Sequence, residues 1–152
     1  QLLLARHFGM RFEETALFRP HKDAKPDRVT ITRGTKGGAS RFVLIRTREQ
    51  IEALDAAKAV TNGDRGIIPA SYPTFKSYAD WVYSQLRAVG VGRASGTTCH
   101  DLRRTYAVQR MQQLMRAGHS REAAAHVVSR ELGHHRTEVL QWYLKDAEPE
   151  AV

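Results

Sequence analysis

Tyr143 stands nine residues after His134 in the stretch Leu132-Gly133-His134-His135-Arg136-Thr137-Glu138-Val139-Leu140-Gln141-Trp142-Tyr143, and an H-x-x-R pair, His100 and Arg103, lies upstream. A phenol, two imidazoles and a guanidinium are the groups that an attack on a phosphodiester needs: a nucleophile, a base for its proton, and donors for the charge that builds on the nonbridging oxygens. Thr98 and Asp101 make a capping box, so with Thr98 as N-cap His100 is the second helical residue and Arg103 lies one turn on, both on one face. The free amides and positive dipole of that helix start favour an anion and lower a histidine pKa, leaving a neutral imidazole able to accept a proton. Taken alone, His100 and Arg103 fit a solvated helix start, and Trp142-Tyr143 on an amphipathic helix fits core packing. Their joint order carries more weight.

Two further cations belong to that order. Arg11 follows Gly9-Met10 at a helix break, which aims a side chain off the regular helical face, and it precedes Glu14 by three residues. An ordinary i,i+3 ion pair worth a few tenths of a kcal/mol is the plain alternative. Lys36 lies in the Gly-rich run Thr35-Lys36-Gly37-Gly38 at or near a hairpin tip. A flexible ammonium there serves either as a solvated turn residue or as a proton donor that swings into a site.

The elements that must position these groups are legible as periodic runs between Gly, Pro and Asn. Leu2 to Phe8 reads as helical, broken at Gly9 and resumed over residues 11–18 until Pro20 stops it. Residues 28–32 and 41–45 are β-branched and aromatic runs, hence a hairpin. Thr47 with Gln50 caps a helix carrying Ile51 and Leu54 that ends near Asn62-Gly63. Phe75, Tyr78, Val82, Leu86 and Val89 recur at helical spacing, as for a core face, up to Gly90. The helix opened by Thr98 carries Leu102, Tyr106, Met111, Leu114 and Met115 to Gly118. Ser120 caps another with Ala124, Val127, Val128 and Leu132 inward, closed by Gly133. Thr137 caps a short last helix bearing Val139, Trp142 and Tyr143. The sum is mainly α with a small antiparallel β-sheet, an α+β class.

With 152 residues the chain fits one domain able to bury its own core. Its 24 Lys+Arg against 16 Asp+Glu give a formal charge of +8 and a pI of about 10.1, favouring a polyanionic partner. The basic residues are spread along the chain and no apolar run approaches the roughly 20 residues of a membrane span, so nucleic acid is preferred to a membrane surface. One cysteine, Cys99, excludes an internal disulfide and suggests a reducing compartment. Nothing in Gln-Leu-Leu-Leu-Ala-Arg marks export.

The sequence G-M-R-x-x-E, then T-K-G-G-A-S-R with Lys36 and Arg41, then H-D-L-R-R-T, then L-G-H with Tyr143 nine residues on, resembles the catalytic domain of the tyrosine recombinase (phage integrase) family over nearly the whole chain. The resemblance implies that residues 1–152 are that catalytic domain, truncated at its N-terminal side, with the separate core-binding domain lying outside this chain. It makes Tyr143 the nucleophile and Arg11, Lys36, His100, Arg103 and His134 the remaining catalytic set. Arg11, Lys36, Arg103 and His134 would hold the DNA phosphate, and Glu14 would be a structural acid beside the first arginine. It implies double-stranded DNA as partner, a homotetramer on paired sites, no cofactor or metal, and a bacterial or phage-encoded protein of the cytoplasm. The chain departs from the pattern at Arg104, where many members carry a second histidine, and at His135, where a small polar residue is common. The helix from Ser120 to Leu132 is also about one turn longer.

A metal site is disfavoured because His134 and His135 point apart and no C-x-x-C or H-E-x-x-H spacing occurs. Cys99 and His100 are neighbours about 100° apart on a helix, which argues against a thiol hydrolase. Two alternatives remain open on sequence: a type IB topoisomerase-like DNA relaxer, and a non-catalytic DNA-binding module of the same fold.

Overall fold

The computed structural model describes residues 1–134, so Thr137, Val139, Trp142, Tyr143 and His135 lie outside the described residues. Seven α-helices and one two-stranded sheet fill the described part. Helix α1 (Leu2–Phe8) buries Leu4, Ala5 and Phe8 and ends at Gly9, whose φ of 62° closes it in the left-handed region. A Cβ at Gly9 would stand 2.5 Å from the Tyr106 ring and 2.7 Å from Leu132. Glycine is therefore required by conformation and by space. Arg11 then N-caps α2 (Phe12–Leu17). Pro20 does not merely stop that helix: it opens α3 (Pro20–Asp23) at the first helical position, where its missing N–H costs nothing, and Asp23 takes the Arg19 guanidinium at 2.7 Å.

Strands β1 (Arg28–Ile31) and β2 (Arg41–Leu44) pair antiparallel, with Val29 opposite Val43 and Ile31 opposite Arg41. Val29, Ile31, Arg41 and Val43 are buried, whereas Phe42 is exposed beneath the Arg28 guanidinium, 5.3 Å from its ring centre. Residues 32–40 connect the strands through a 3-10 turn at Lys36–Gly38, so the hairpin is long-looped and Lys36 stands at its exposed end.

Thr47 caps α4 (Arg48–Ala59): its hydroxyl accepts from the Gln50 amide, and Gln50 Oε1 accepts from the Thr47 and Arg46 amides. The inward face of α4 is Gln50, Ala53, Leu54 and Ala57. Ile51 faces water, because Leu54 and Ala57 fix the stripe one residue away.

Helix α5 (Phe75–Ala88) corrects an expectation. Of its apolar stripe only Tyr78 is buried; Phe75, Val82 and Leu86 are partly covered, and Val89 at the C-cap is exposed. The helix lies at the rim, and its rings pack at an angle against other rings, Tyr78 and Trp81 against Tyr72, Phe75 and Tyr83 against Phe12.

The centre is α6 (Cys99–Arg116), packed against α1 and against α7 (Arg121–Glu131). Tyr106, Ala107, Met111 and Leu114 face the core while Met115 is exposed. On α7, Ser120 caps through the Ala123 amide, and Ala124, Val128 and Leu132 are fully buried while Val127 is partly so. Gly133, with φ 71°, ends that helix and turns the chain into His134. No helix among the described residues is long and apolar enough to cross a membrane.

Candidate active site

Two interruptions of helix converge on the start of α6. Thr98 donates its amide and hydroxyl to Asp101 Oδ2 at 2.6 and 2.7 Å, which fixes the first turn and places His100 and Arg103 as the spacing predicts. Arg103 is 1% exposed. One of its terminal nitrogens donates to the Gly9 carbonyl at the α1–α2 break, the other to the Leu132 carbonyl at 2.6 Å and to His134 Nε2 at 3.2 Å. Because a guanidinium has no acceptor, His134 Nε2 must accept, so the ring is neutral with its proton on Nδ1.

That neutral state has an electrostatic basis. Burial first, then the charges of Arg103, Arg11 and Arg41, bring the His134 pKa down to about 4. Loss of water and the Arg103 charge lower His100 as well, with Asp101 pulling the other way and Arg11 and Arg104 adding to the depression. Arg11 and Arg103 thus act on both imidazoles, which puts the four groups in one neighbourhood. Each ring is therefore neutral at pH 7.

Glu14 lies beneath them with no exposure. It accepts from the Arg11 amide at 2.7 Å and from the Arg11 guanidinium at 2.9 Å, and its Oε2 is 3.8 Å from Arg103. Arg41 reaches it from β2 with two bonds of 2.6 Å. Burial alone would raise the Glu14 carboxyl; the hydrogen bonds and charge of Arg41, with the Arg11 amide and Arg103, outweigh it and hold the pKa below the usual value. The i,i+3 pair of Arg11 and Glu14 and the placement of Arg11 beside the imidazoles are therefore both present.

The described contacts bring together Arg11, Glu14, Arg103 and His134, and the charges of Arg103 and Arg11 act on His100 as well. They do not bring in Lys36, which is exposed and has no hydrogen-bond or ion-pair partner among the described residues. Tyr143 lies outside the described residues. Two cavities flank the cluster: one of about 430 Å³ bordered by Ser40, Arg41, Phe42 and His134, and one of about 880 Å³ between the end of α5 and the start of α6, with His100 and Arg93 on its wall. Among the described residues no group of three or more His, Cys, Asp or Glu is arranged to hold a metal ion.

Sequence reasoning named Arg41 in a motif but gave it no role, and passed over Glu131. Alternation was the signal for Arg41, since it shares the inward face of β2 with Val43. Glu131 follows Val128 by three residues on α7, so the stripe itself carries it inward.

A family model described as integrase matches residues 1–109. The chain belongs to the tyrosine recombinase, or phage integrase, family. Three solved structures are similar to it. A lambda integrase dimer bound to a COC′ core site is 19% identical, with a TM-score of 0.65 over 99% of this chain and 53% of that one. XerH site-specific recombinase bound to a palindromic difH substrate is 20% identical, with a TM-score of 0.58 over 94% of this chain and 40% of that one. The Tn1549 transposon integrase in complex with circular intermediate DNA is 14% identical, with a TM-score of 0.50 over 99% of this chain and 53% of that one. At these identities the likeness is one of fold. The integrase-family chain spans about half the length of the solved structures, and no curated protein sequence matches it.

Proposed function

We propose that this chain is the strand-cleaving and rejoining region of a site-specific DNA recombinase that works through a 3′-phosphotyrosine link. The Tyr143 oxygen bonds to phosphorus, the bond from phosphorus to the 5′ oxygen breaks, His100 takes the phenol proton and Lys36 supplies one to the departing 5′ oxygen. A phenol of pKa about 10 needs such a base at neutral pH. Arg11, Arg103 and His134 hold the nonbridging oxygens as charge builds there, the role that a divalent ion plays in other phosphoryl-transfer sites. One phosphodiester replaces another, so a second DNA end reverses the step without ATP.

The observation that carries this reading is the buried Arg103 guanidinium bonded to His134, with Arg11 acting on the same imidazole. A basic chain of charge +8 supports DNA as substrate. The working form in this reading is a homotetramer on paired sites in a bacterial cytoplasm, with a core-binding domain on the other face of the DNA.

A nicked suicide duplex tests it. Wild-type protein should give an SDS-resistant protein–DNA adduct and Tyr143→Phe none, with binding nearly unchanged because only a hydroxyl is lost. An adduct from Tyr143→Phe overturns the nucleophile, whereas adduct and plasmid relaxation without strand exchange would favour a topoisomerase-like enzyme.

A further inference from the structure

Glu131 is an acid that the proposed chemistry does not use, and it is 6% exposed. Its carboxylate accepts from the Tyr106 hydroxyl at 2.6 Å and Arg110 Nε at 3.2 Å, both on α6, and from Arg46 at 2.7 Å, just past β2. Its carbonyl accepts from Arg41 Nε at 2.7 Å. One residue on, the Leu132 carbonyl holds Arg103. The turn then closes on itself: the His134 amide donates to the Ser129 carbonyl at 2.9 Å and the Ser129 hydroxyl to the His134 carbonyl at 3.2 Å. The end of α7 is thus fastened to α6 and to the hairpin immediately before it presents the imidazole.

Stability alone does not account for a carboxylate here. Val128 and Leu132, its neighbours on the stripe, are fully buried apolar residues, and replacing a buried ionic cluster by well-packed apolar groups is often neutral or stabilising. What directional bonds supply and apolar packing does not is a fixed rotation and height of the α7 end relative to α6. A misplacement of about 1 Å in a catalytic group is enough to matter for rate.

We infer that Glu131 is a positioning residue for His134: through Tyr106, Arg110 and Arg46 its carboxylate sets the end of α7 so that the imidazole meets Arg103. This rests on the reading of His134 as a phosphate-binding group, but its test does not. The Arg41 bond to the Glu131 carbonyl survives any side chain at 131, so substitution isolates the carboxylate.

The experiment is an NMR titration of the histidine rings in the 152-residue chain, with His134 assigned from a His134→Asn spectrum. Glu131→Leu, of similar volume, leaves the Tyr106 hydroxyl and the Arg46 and Arg110 guanidiniums without their acceptor and should lower the melting temperature, while in the folded protein the His134 midpoint rises by at least about one pH unit as the ring leaves Arg103 and regains water. Glu131→Gln, which still accepts from Tyr106, should restore most of the wild-type midpoint. Asp23→Asn, which loosens an ion pair away from the site, should lower the melting temperature without moving it. An unchanged His134 midpoint in Glu131→Leu overturns the inference. If that variant does not fold, Tyr106→Phe and Arg110→Gln each remove one anchor and should raise the midpoint by less, and no movement in both is the overturning result. Failure of the suicide-duplex assay would leave this titration unaffected.

Discussion

Arg41 and Glu14 meet fork to fork in the interior, Nη1 2.6 Å from Oε1 and Nη2 2.6 Å from Oε2, joining β2 to α2 across 27 residues of sequence. The same carboxylate holds the amide and guanidinium of Arg11, so the pair is the base on which Arg11 stands. Planar bidentate pairing gives direction as well as attraction, which a lysine at 41 would not.

Arg41→Met is therefore expected to cost about 3–5 kcal/mol in urea unfolding, because it removes two bonds and leaves a fully buried carboxylate short of its principal partner. Adding Glu14→Gln should return part of that loss by discharging the site. A loss under about 1 kcal/mol, or no recovery in the double variant, would show that Glu14 is held well enough by Arg11 and Arg103.

Acid should weaken the fold through His134. In the unfolded chain the ring titrates near the ordinary 6.5 and in the folded protein at about 4, so between these values the unfolded chain binds the extra proton. The contribution is complete above 6.5 and is lost as pH falls toward 4. At about 1.4 kcal/mol per pH unit inside that window, discounted for partial exposure, stability should fall by about 1–2 kcal/mol from pH 7 to pH 5. His7 and His100 are lowered too and push the same way, so the comparison is with His134→Asn, whose stability–pH curve should be flatter over this window. Glu14, held below its ordinary value, remains ionised here and contributes loss only at lower pH. Parallel curves for the two proteins would mean that His134 is not held neutral by its surroundings.

Much of this arrangement was legible in the sequence because local chemistry dictates it. Gly9 and Gly133 end helices at positive φ, Thr47, Thr98 and Ser120 start them, and the hairpin runs alternate as strands do. His100 and Arg103 followed from one capping box. The rim helix α5 was not legible: its aromatic stripe has the period of a core face, and periodicity reports which side is apolar but not whether anything covers it. The Glu14–Arg41 and Glu131–Arg46 pairs lie 27 and 85 residues apart in sequence, and spacing arguments do not reach that far.

Gly9→Ala should be among the most damaging single substitutions. An alanine there would be strained by φ 62° and its Cβ would overlap a Tyr106 ring whose hydroxyl is tied to Glu131 and cannot easily yield. Left-handed strain and overpacking together suggest about 2–5 kcal/mol. Because the Gly9 carbonyl accepts from Arg103, the His134 ring should also shift in the NMR spectrum. A variant of near wild-type melting temperature with an unmoved His134 signal would show that α1 and α6 are not held as closely as the contacts imply.

Binding of duplex DNA by the chain should be weak, nearly independent of sequence, and governed by salt. The positive surface includes exposed side chains such as Arg33, Lys36 and Arg93, which a phosphate backbone can reach, whereas Arg103 is buried among carbonyls and His134. Phosphate contacts fix position without reading bases. If about four phosphates are neutralised, the slope of log K against log salt is roughly −3.6, and affinity falls roughly a hundredfold between about 50 and 200 mM. Fluorescence anisotropy on a labelled duplex at several ionic strengths gives the slope, and Lys36→Ala should reduce it by about one if the hairpin tip reaches the backbone. Tight, site-specific and salt-insensitive binding would place base readout within these residues and would contradict a surface that engages DNA through its phosphates.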